Sequence, residues 1–494
     1  MWLEINHPEL REDSAATQAI FASGHQVGNI AEQIYDPNDE GIFIDLQKLG
    51  VTGALVQTAT ALATRQPIFE AGFTVNGAIA FADVLLPVLS STGQEAWRMV
   101  EVKSSTSVKP YYREDIAIQA YLARSSINLI GVAIAHIDTK FVYAGQGNYE
   151  GFLVEVDLTR EAFRRTCEVE EWIASAQGTA AMPNEPKIVI GKQCSNPFPC
   201  GFLAYCKAQE ATSHSSTLPE FPVSWLPRFQ SHTNEALDAC GAEKDMRDIP
   251  DAKLNALQQR VKKHTLSATT FLDSVAAQKS LEEKSALNLP VYFLDFETQF
   301  TALPTWAGMR PFEKFAFQFS VHHINLDAEL NHHSFLDLSG DDPSAALIPQ
   351  LLAACGEHGA VLVYNLPFES SVIASLALKY PKHSAALLAL QKRLVDLLPI
   401  TRSCYYHPDQ QGSWSLKRVL PTLPGQQALK HSELAGVQTS NDAPLAYIEA
   451  TKATTTPERK MAIEQQLLAY CKLDTLATVR LWAILAGRSD LIDL

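Results

Sequence analysis

The 494-residue chain is 46% hydrophobic and 19% charged, which excludes a disordered or fibrous polymer and allows two to four domains with cores of their own. A formal net charge of −15 repels polyanions at long range, so any nucleic acid must be met by local basic patches and bound metal. The sequence has no apolar run long enough for a membrane span and no leader pattern, so no membrane partner is expected and the expected compartment is the cytoplasm.

The first two hundred residues alternate helical and strand-like patterns, which predicts an α/β domain over 1–207. Helices are expected at 54–64 and 115–123, and strands at 78–88, 96–103 and 127–137. Asp83 falls inside the first strand. Glu101 and Lys103 share one face of the second, by the two-residue period of a strand. Two carboxylates and an ammonium at this spacing can hold a divalent cation, place a water and offset charge developing on a phosphate. The spacing is a weak signal, because Glu-x-Lys is common on exposed strands. The basic runs at 103–113 and 260–263 read, taken singly, as solvated faces of a mixed surface.

The domain closes on a turn-rich segment, 191–206, with Cys194, Cys200 and Cys206 around Pro197 and Pro199. Eight cysteines in a long chain without a leader argue against a disulfide framework. The three thiols could converge on a metal, although zinc needs a fourth ligand and no neighbouring histidine offers one. Burial as inert structural cysteines is the other reading.

Residues 208–288 read as a helical connector, with helices over 251–264 and 271–286, because Leu254, Leu257 and Val261 recur at helical spacing. The third part, 289–494, opens on an apolar strand, 291–300, that carries Asp295 and Glu297 on one face. Two acids on one strand face repel each other unless a cation lies between them, and hard oxygen donors favour Mg2+ or Mn2+ over zinc. A strand end that reaches solvent is the plainer alternative.

A second apolar strand ends in Asn365, with Glu369 where a helix starts. Asp396 is another acid able to serve nearby. A long amphipathic helix is expected over 461–485, with Tyr470 and Asp474 four apart on one face. Four carboxylates can hold two metals, one activating a water and one stabilising a leaving oxygen, with the phenol orienting the water.

The order Asp295-x-Glu297, Asn365-x-x-Phe368-Glu369, Tyr470-x-x-x-Asp474 resembles the DEDD exonucleases of the tyrosine subtype. The resemblance implies a ribonuclease H-like fold and digestion from a 3′ end. Most members carry Asp where this chain has Glu369, which keeps the charge and moves the oxygens by one methylene. Asp83, Glu101-x-Lys103 and then Gln119 and Tyr121 on a helix resemble the RecB-like branch of the PD-(D/E)XK nucleases, which have a restriction-endonuclease-like fold. Glu70 stands where that branch often has another acid. His25 matches its early histidine loosely and reads otherwise as a surface residue.

In the iron-sulfur members of that branch, three cysteines follow the nuclease core and a fourth precedes it. The resemblance therefore implies a [4Fe-4S] cluster on Cys194, Cys200 and Cys206. Its fourth ligand is either missing, if the sequence starts a few residues late, or Cys167. The bipartite order over nearly the whole chain is similar to a bacterial family of predicted RecB-like nucleases fused to an exonuclease domain. Gln318 and Ser415-Leu416-Lys417 also match its recurrent segments, and Lys417 is a candidate for touching phosphate.

The expected function is thus a two-headed, Mg2+- or Mn2+-dependent nuclease acting on single-stranded DNA or RNA, with DNA favoured. The alternative is a nucleic-acid-binding scaffold with one inactive head. A glycosidase would also use paired acids, but it has no use for Glu101-x-Lys103 or Tyr470-x-x-x-Asp474.

Overall fold

Two mixed sheets flanked by helices organise the chain in this computed structural model, which describes residues 1–213, 221–227, 245–424, 434–439, 441–488 and 490. Unit 1 comprises Met1–His214 and Phe300–Glu313, and unit 2 comprises Ser215–Gln299 and Lys314–Leu494. From residue 215 on, the expected connector lies in the same unit as the third part. Among the described residues, no helix is long and apolar enough to cross a membrane.

The sheet of unit 1 has the order β1 (Ile42–Phe43), β2 (Ile68–Val75), β3 (Ala78–Leu89), β4 (Glu95–Lys103), β5 (Leu129–Ile137) and β6 (Leu153–Asp157). β1 runs parallel to β2 and β4 parallel to β5, while the remaining pairs are antiparallel. The helix Pro110–Arg124 supplies Ile116, Ala117, Ala120 and Ala123 to the apolar cluster that covers one face, where they meet Met99, Val132 and Ile134. Proline at its first turn costs no hydrogen bond there and fixes its start five residues before the expected one. The segment 300–313 packs into this unit through Tyr143 N–H to the Met309 carbonyl (3.0 Å) and the Tyr149 hydroxyl to the Pro304 carbonyl (3.0 Å).

Unit 2 contains β7 (Phe271–Leu272), β8 (Val291–Gln299), β9 (Phe315–Ile324), β10 (Leu330–Leu336), β11 (Ala360–Val363), β12 (Leu394–Asp396) and β13 (Tyr405–Tyr406). Its main sheet has the order β10-β9-β8-β11-β12, with β8, β11 and β12 parallel, and β13 pairs with β7 in a small second sheet. The expected helix over 271–286 is therefore shorter. Phe271 and Leu272 join a strand, and Asp273 caps the helix Ser274–Glu282 by accepting the Ala276 N–H (3.0 Å). The helix expected from 251 begins at Ala256, because Asn255 and Gln258 cap each other's backbone N–H groups.

The central strand β8 is buried on both faces, as parallel pairing under helices requires. Val291 and Phe293 enter the cluster that contains Trp482, whereas Tyr292, Leu294 and Phe296 enter the one that contains Leu347 and Ile373. The long helix, Pro457–Ala486, covers the first of these faces. Every residue from Ala477 to Leu485 is buried, so over those nine of its thirty residues it is a core helix and not the expected amphipathic one.

Candidate functional site

Strand alternation puts Asp295 and Glu297 in line with Val291 and Phe293, on the face that the long helix covers. That helix presents Tyr470, Cys471 and Asp474 on neighbouring turns, because residues three and four apart share a face. Ligand atoms of Asp295, Glu297 and Cys471 lie within 4.8 Å of one another, and the Cys471 Sγ stands 3.7 Å from an Asp295 carboxylate oxygen. Parallel pairing of β11 with β8 delivers Glu369 to the same end of the sheet, on the first turn of the helix Leu366–Lys379. The carboxyl ends of parallel strands are where open α/β sheets carry their ligand sites.

Glu297 and Glu369 are buried, Asp295 and Asp474 are half-buried, and the four are close enough to feel one another. Burial, then Asp474, Glu297 and Glu369, push the Asp295 carboxyl well above the usual range. Glu297 is pushed up to about 8, first by burial and then by Asp474, with Lys417 acting against them. Burial pushes Glu369 up to about 8, and its Oε2 has no hydrogen-bond partner although the residue is 2% exposed. Tyr470 is pushed far up by burial and by Asp474, Glu297 and Asp295, so it remains a phenol that can donate a hydrogen bond.

Supporting residues fix this geometry. Asp396 accepts the N–H groups of Asn365 (3.2 Å) and Leu366 (3.1 Å) and caps the helix Leu397–Cys404 through Leu398 N–H (2.9 Å). It thereby holds the left-handed turn at Asn365 (φ 94°) that launches the helix bearing Glu369. Gln318 pairs across from Glu297 and donates to the Leu467 carbonyl (2.8 Å), which ties the long helix to the sheet one turn before Tyr470. Lys417 donates to the Gln438 carbonyl (3.2 Å), with its ammonium 5.6 Å from the Tyr470 ring. Thr475 hydrogen-bonds both Ser320 and His322 (2.7 Å each), a second polar tie beneath the acids.

A row of acids also crosses unit 1. Phe69 pairs with Val84 and Ala71 with Ala82, so Glu70 lies opposite Asp83. Val84 pairs with Val100, so Glu101 follows at the next position on β4. Glu70 takes a left-handed backbone conformation (φ 58°), rare for a residue with a side chain, which breaks the alternation of β2 at this level. Asp83 accepts the Val102 N–H (2.6 Å) and is pushed up to about 7, chiefly by burial. Glu101 is pushed up to about 8 by burial and by Asp83, and its Oε2 has no hydrogen-bond partner.

Lys103 donates to Glu101 and to Asp115 (2.6 Å each). Burial pulls its ammonium down, but those two acids prevail and hold it above its usual value. Gln119 is buried beneath the sheet with its Oε1 unpaired. Tyr121 is not brought to the acids. Two residues along a helix is about 200° around it, and its hydroxyl reaches Glu170 (3.2 Å) on the helix Thr166–Ala180.

The cysteine segment doubles back on itself, with Cys200 N–H on the Cys194 carbonyl (2.9 Å) and Cys206 on the helix Leu203–Ser213. The N-terminal residues run beside it, through Glu12 N–H to the Gly201 carbonyl (2.9 Å). Cys167 is exposed on the helix Thr166–Ala180, and His25 is exposed on the helix Ala15–Tyr35.

Residues 292–415 match a family model described as a domain of unknown function (DUF2779). That span carries Asp295, Glu297, Glu369 and Asp396 and stops short of Tyr470, Cys471 and Asp474. No curated protein matches the chain. Among solved structures, the family B DNA polymerase from the hyperthermophilic archaeon Pyrobaculum calidifontis is similar at 10% identity with a TM-score of 0.22, over 84% of this chain and 47% of that one. So low a score carries no argument about either fold or activity.

Three residues at these clusters escape sequence reasoning. Asp115 ion-pairs with Lys103 across twelve positions. Glu32, on the helix Ala15–Tyr35, is raised by burial and acts on Glu70. Cys471 adjoins Asp295. Of these only Cys471 had a signal, as the neighbour of Tyr470 and the residue one helical turn before Asp474.

Proposed function

We propose that the chain is a metal-dependent nuclease with two heads. Unit 2 is read as a ribonuclease H-like DEDD exonuclease of the tyrosine subtype that trims from 3′ ends, and unit 1 as a RecB-like PD-(D/E)XK head. One observation carries this reading: Asp295 stands among three further carboxylates, Glu297, Glu369 and Asp474, and the buried Glu369 keeps an unpaired oxygen. Such a set of hard oxygens fits Mg2+ or Mn2+. When bound, divalent ions supply an activated water and charge stabilisation at the leaving oxygen.

The chain's own groups do the rest. Tyr470 keeps its proton, which its hydroxyl donates to Asp474, so the phenol oxygen stands beside the acids where it would orient the attacking water. Gln318 and Asp396 hold the helices that carry Tyr470 and Glu369. In unit 1, Lys103 stays an ammonium at neutral pH, so it acts as a fixed positive charge beside the phosphate and not as a proton acceptor. Acids this deep favour a threaded single-stranded end over an intact duplex, and DNA is the favoured substrate. In the same reading Cys194, Cys200 and Cys206 would hold a [4Fe-4S] cluster whose fourth ligand is missing or is Cys167; a visible absorption band after anaerobic purification tests it.

The test of the nuclease reading gives purified protein 5′-labelled and 3′-labelled single-stranded DNA and RNA with Mg2+ or Mn2+. Trimming from the 3′ end is expected, with Asp295→Ala lowering it by more than the ~10–100-fold that loss of a ligand's supporting partner costs. Lys103→Ala reports on the other head. Substrates left intact by the wild type at high protein concentration would overturn the reading for both heads.

A further inference from the structure

The thiol of Cys471 has a different setting from the other buried cysteines of unit 2. Cys355 and Cys404 lie in its apolar clusters, whereas the Cys471 Sγ faces a carboxylate oxygen of Asp295 at 3.7 Å. The side chain is fully buried, and together with Asp295 and Glu297 it is the one trio of candidate ligands, among the described residues, whose donor atoms gather within 4.8 Å. A second observation points to a cation independently: Glu369, acting on the same Asp295, leaves a buried oxygen with no hydrogen-bond partner.

The distances fit a shared ion. A tetrahedral cation with a bond of ~2.3 Å to sulfur and ~2.0 Å to oxygen separates those two donors by ~3.5 Å, close to the 3.7 Å observed. Mg2+ and Mn2+ gain little from sulfur, while Zn2+, Cd2+ and Co2+ bind thiolate well.

We infer that Cys471 is a ligand of the Asp295–Glu297 centre that thiophilic cations recruit and Mg2+ does not. This rests on the reading that the acids hold a divalent metal and adds a selectivity to it. On recruitment the S–H bond breaks, the proton leaves to buffer and the sulfur lone pair forms the bond to the cation, with no change of oxidation state. The centre is then a point at which Zn2+ displaces the hard cation and silences the head.

Titration of the full chain with Co2+ tests this, in a background of Cys167→Ser, Cys194→Ser, Cys200→Ser, Cys206→Ser and Cys240→Ser that removes competing thiols. A thiolate-to-cobalt charge-transfer band is expected that saturates with Co2+ and disappears in both Cys471→Ser and Cys471→Ala. Zn2+ affinity should fall by at least ~10-fold in these variants, and Mn2+ affinity, read by Mn2+ paramagnetic resonance, by less than ~2-fold. Circular dichroism melts of the two variants identify any that fails to fold, and the other then decides. Mn2+ binding that Asp295→Ala abolishes, without any thiolate band or with a band that survives Cys471→Ser, overturns the Cys471 inference and leaves the metal reading standing. No binding of either cation overturns both.

Discussion

In unit 1 Glu101 meets an ammonium inside the cluster; in unit 2 Asp295 meets a thiol. Lys103 bridges Glu101 and Asp115 at 2.6 Å, whereas Lys417 lies farther from the unit 2 acids and spends a hydrogen bond on the Gln438 carbonyl. Both clusters keep carboxylates protonated toward neutral pH, yet one carries its own counter-charge. Burying a charge without a partner costs several kcal/mol, about as much as such a domain's net stability. The unit 2 acids therefore resolve the conflict by holding protons or by taking up a cation, and their state depends on solution conditions more than that of unit 1.

The sharpest way to break this contrast is to remove the counter-charge. Lys103→Met strands Glu101 and Asp115 and should destabilise unit 1 by about 2–3 kcal/mol in metal-free urea unfolding, with Mg2+ restoring part of it. An unchanged midpoint would show that Lys103 does not neutralise the cluster. Next in size is the response to metal. At one hundred times its dissociation constant, Mg2+ or Mn2+ stabilises by ~2.7 kcal/mol, which raises a domain of this size by roughly 5–10 °C. Asp295→Asn with Glu297→Gln should erase that shift and raise the metal-free midpoint, because less repulsion is buried.

A smaller effect follows pH. Glu297 and Glu369, near 8 when folded, start from 4.5, and Glu101 and Asp83 are raised likewise. Between roughly pH 4.5 and 8 the folded chain binds more protons than the unfolded one, so metal-free stability falls as pH rises through that window. Urea unfolding should show this loss from pH 5 to 8, with saturating Mg2+ flattening the slope since the cation replaces the protons. A slope of the opposite sign would mean that the acids are ionised and paired. Smallest is Asp396→Ala, which removes a helix cap worth ~1 kcal/mol and loosens the turn before Glu369. Differential scanning calorimetry should show that loss in unit 2 alone.

Much of the unit 2 cluster was legible because its chemistry contradicts its surroundings. Acids inside Val291-Tyr292-Phe293-Leu294 and beside Leu467-Leu468 violate the apolar pattern, and a violated pattern is visible in one dimension. Gln119 and Tyr121 show the limit. Both follow the Glu101 strand, but helical geometry sends them to opposite sides, and only Gln119 is buried beneath the sheet. Asp396 shows another: read as a possible ligand, it is spent on three backbone N–H groups. The helix Ala15–Tyr35, and with it Glu32, lies outside the elements that the sequence predicts.

Local chemistry in the chain determined strands β3, β4, β5, β8 and β11, the long final helix and the pairing of acids at two- and four-residue spacing, because side-chain direction follows from backbone periodicity alone. Long-range packing decided which acids share a space. The 176 positions between Asp295 and Cys471 are closed by the long helix lying on β8, and nothing in either segment specifies that approach by itself. It arises where apolar faces from distant segments exclude water together, and the same exclusion raises the proton affinity of the acids and makes a cation welcome.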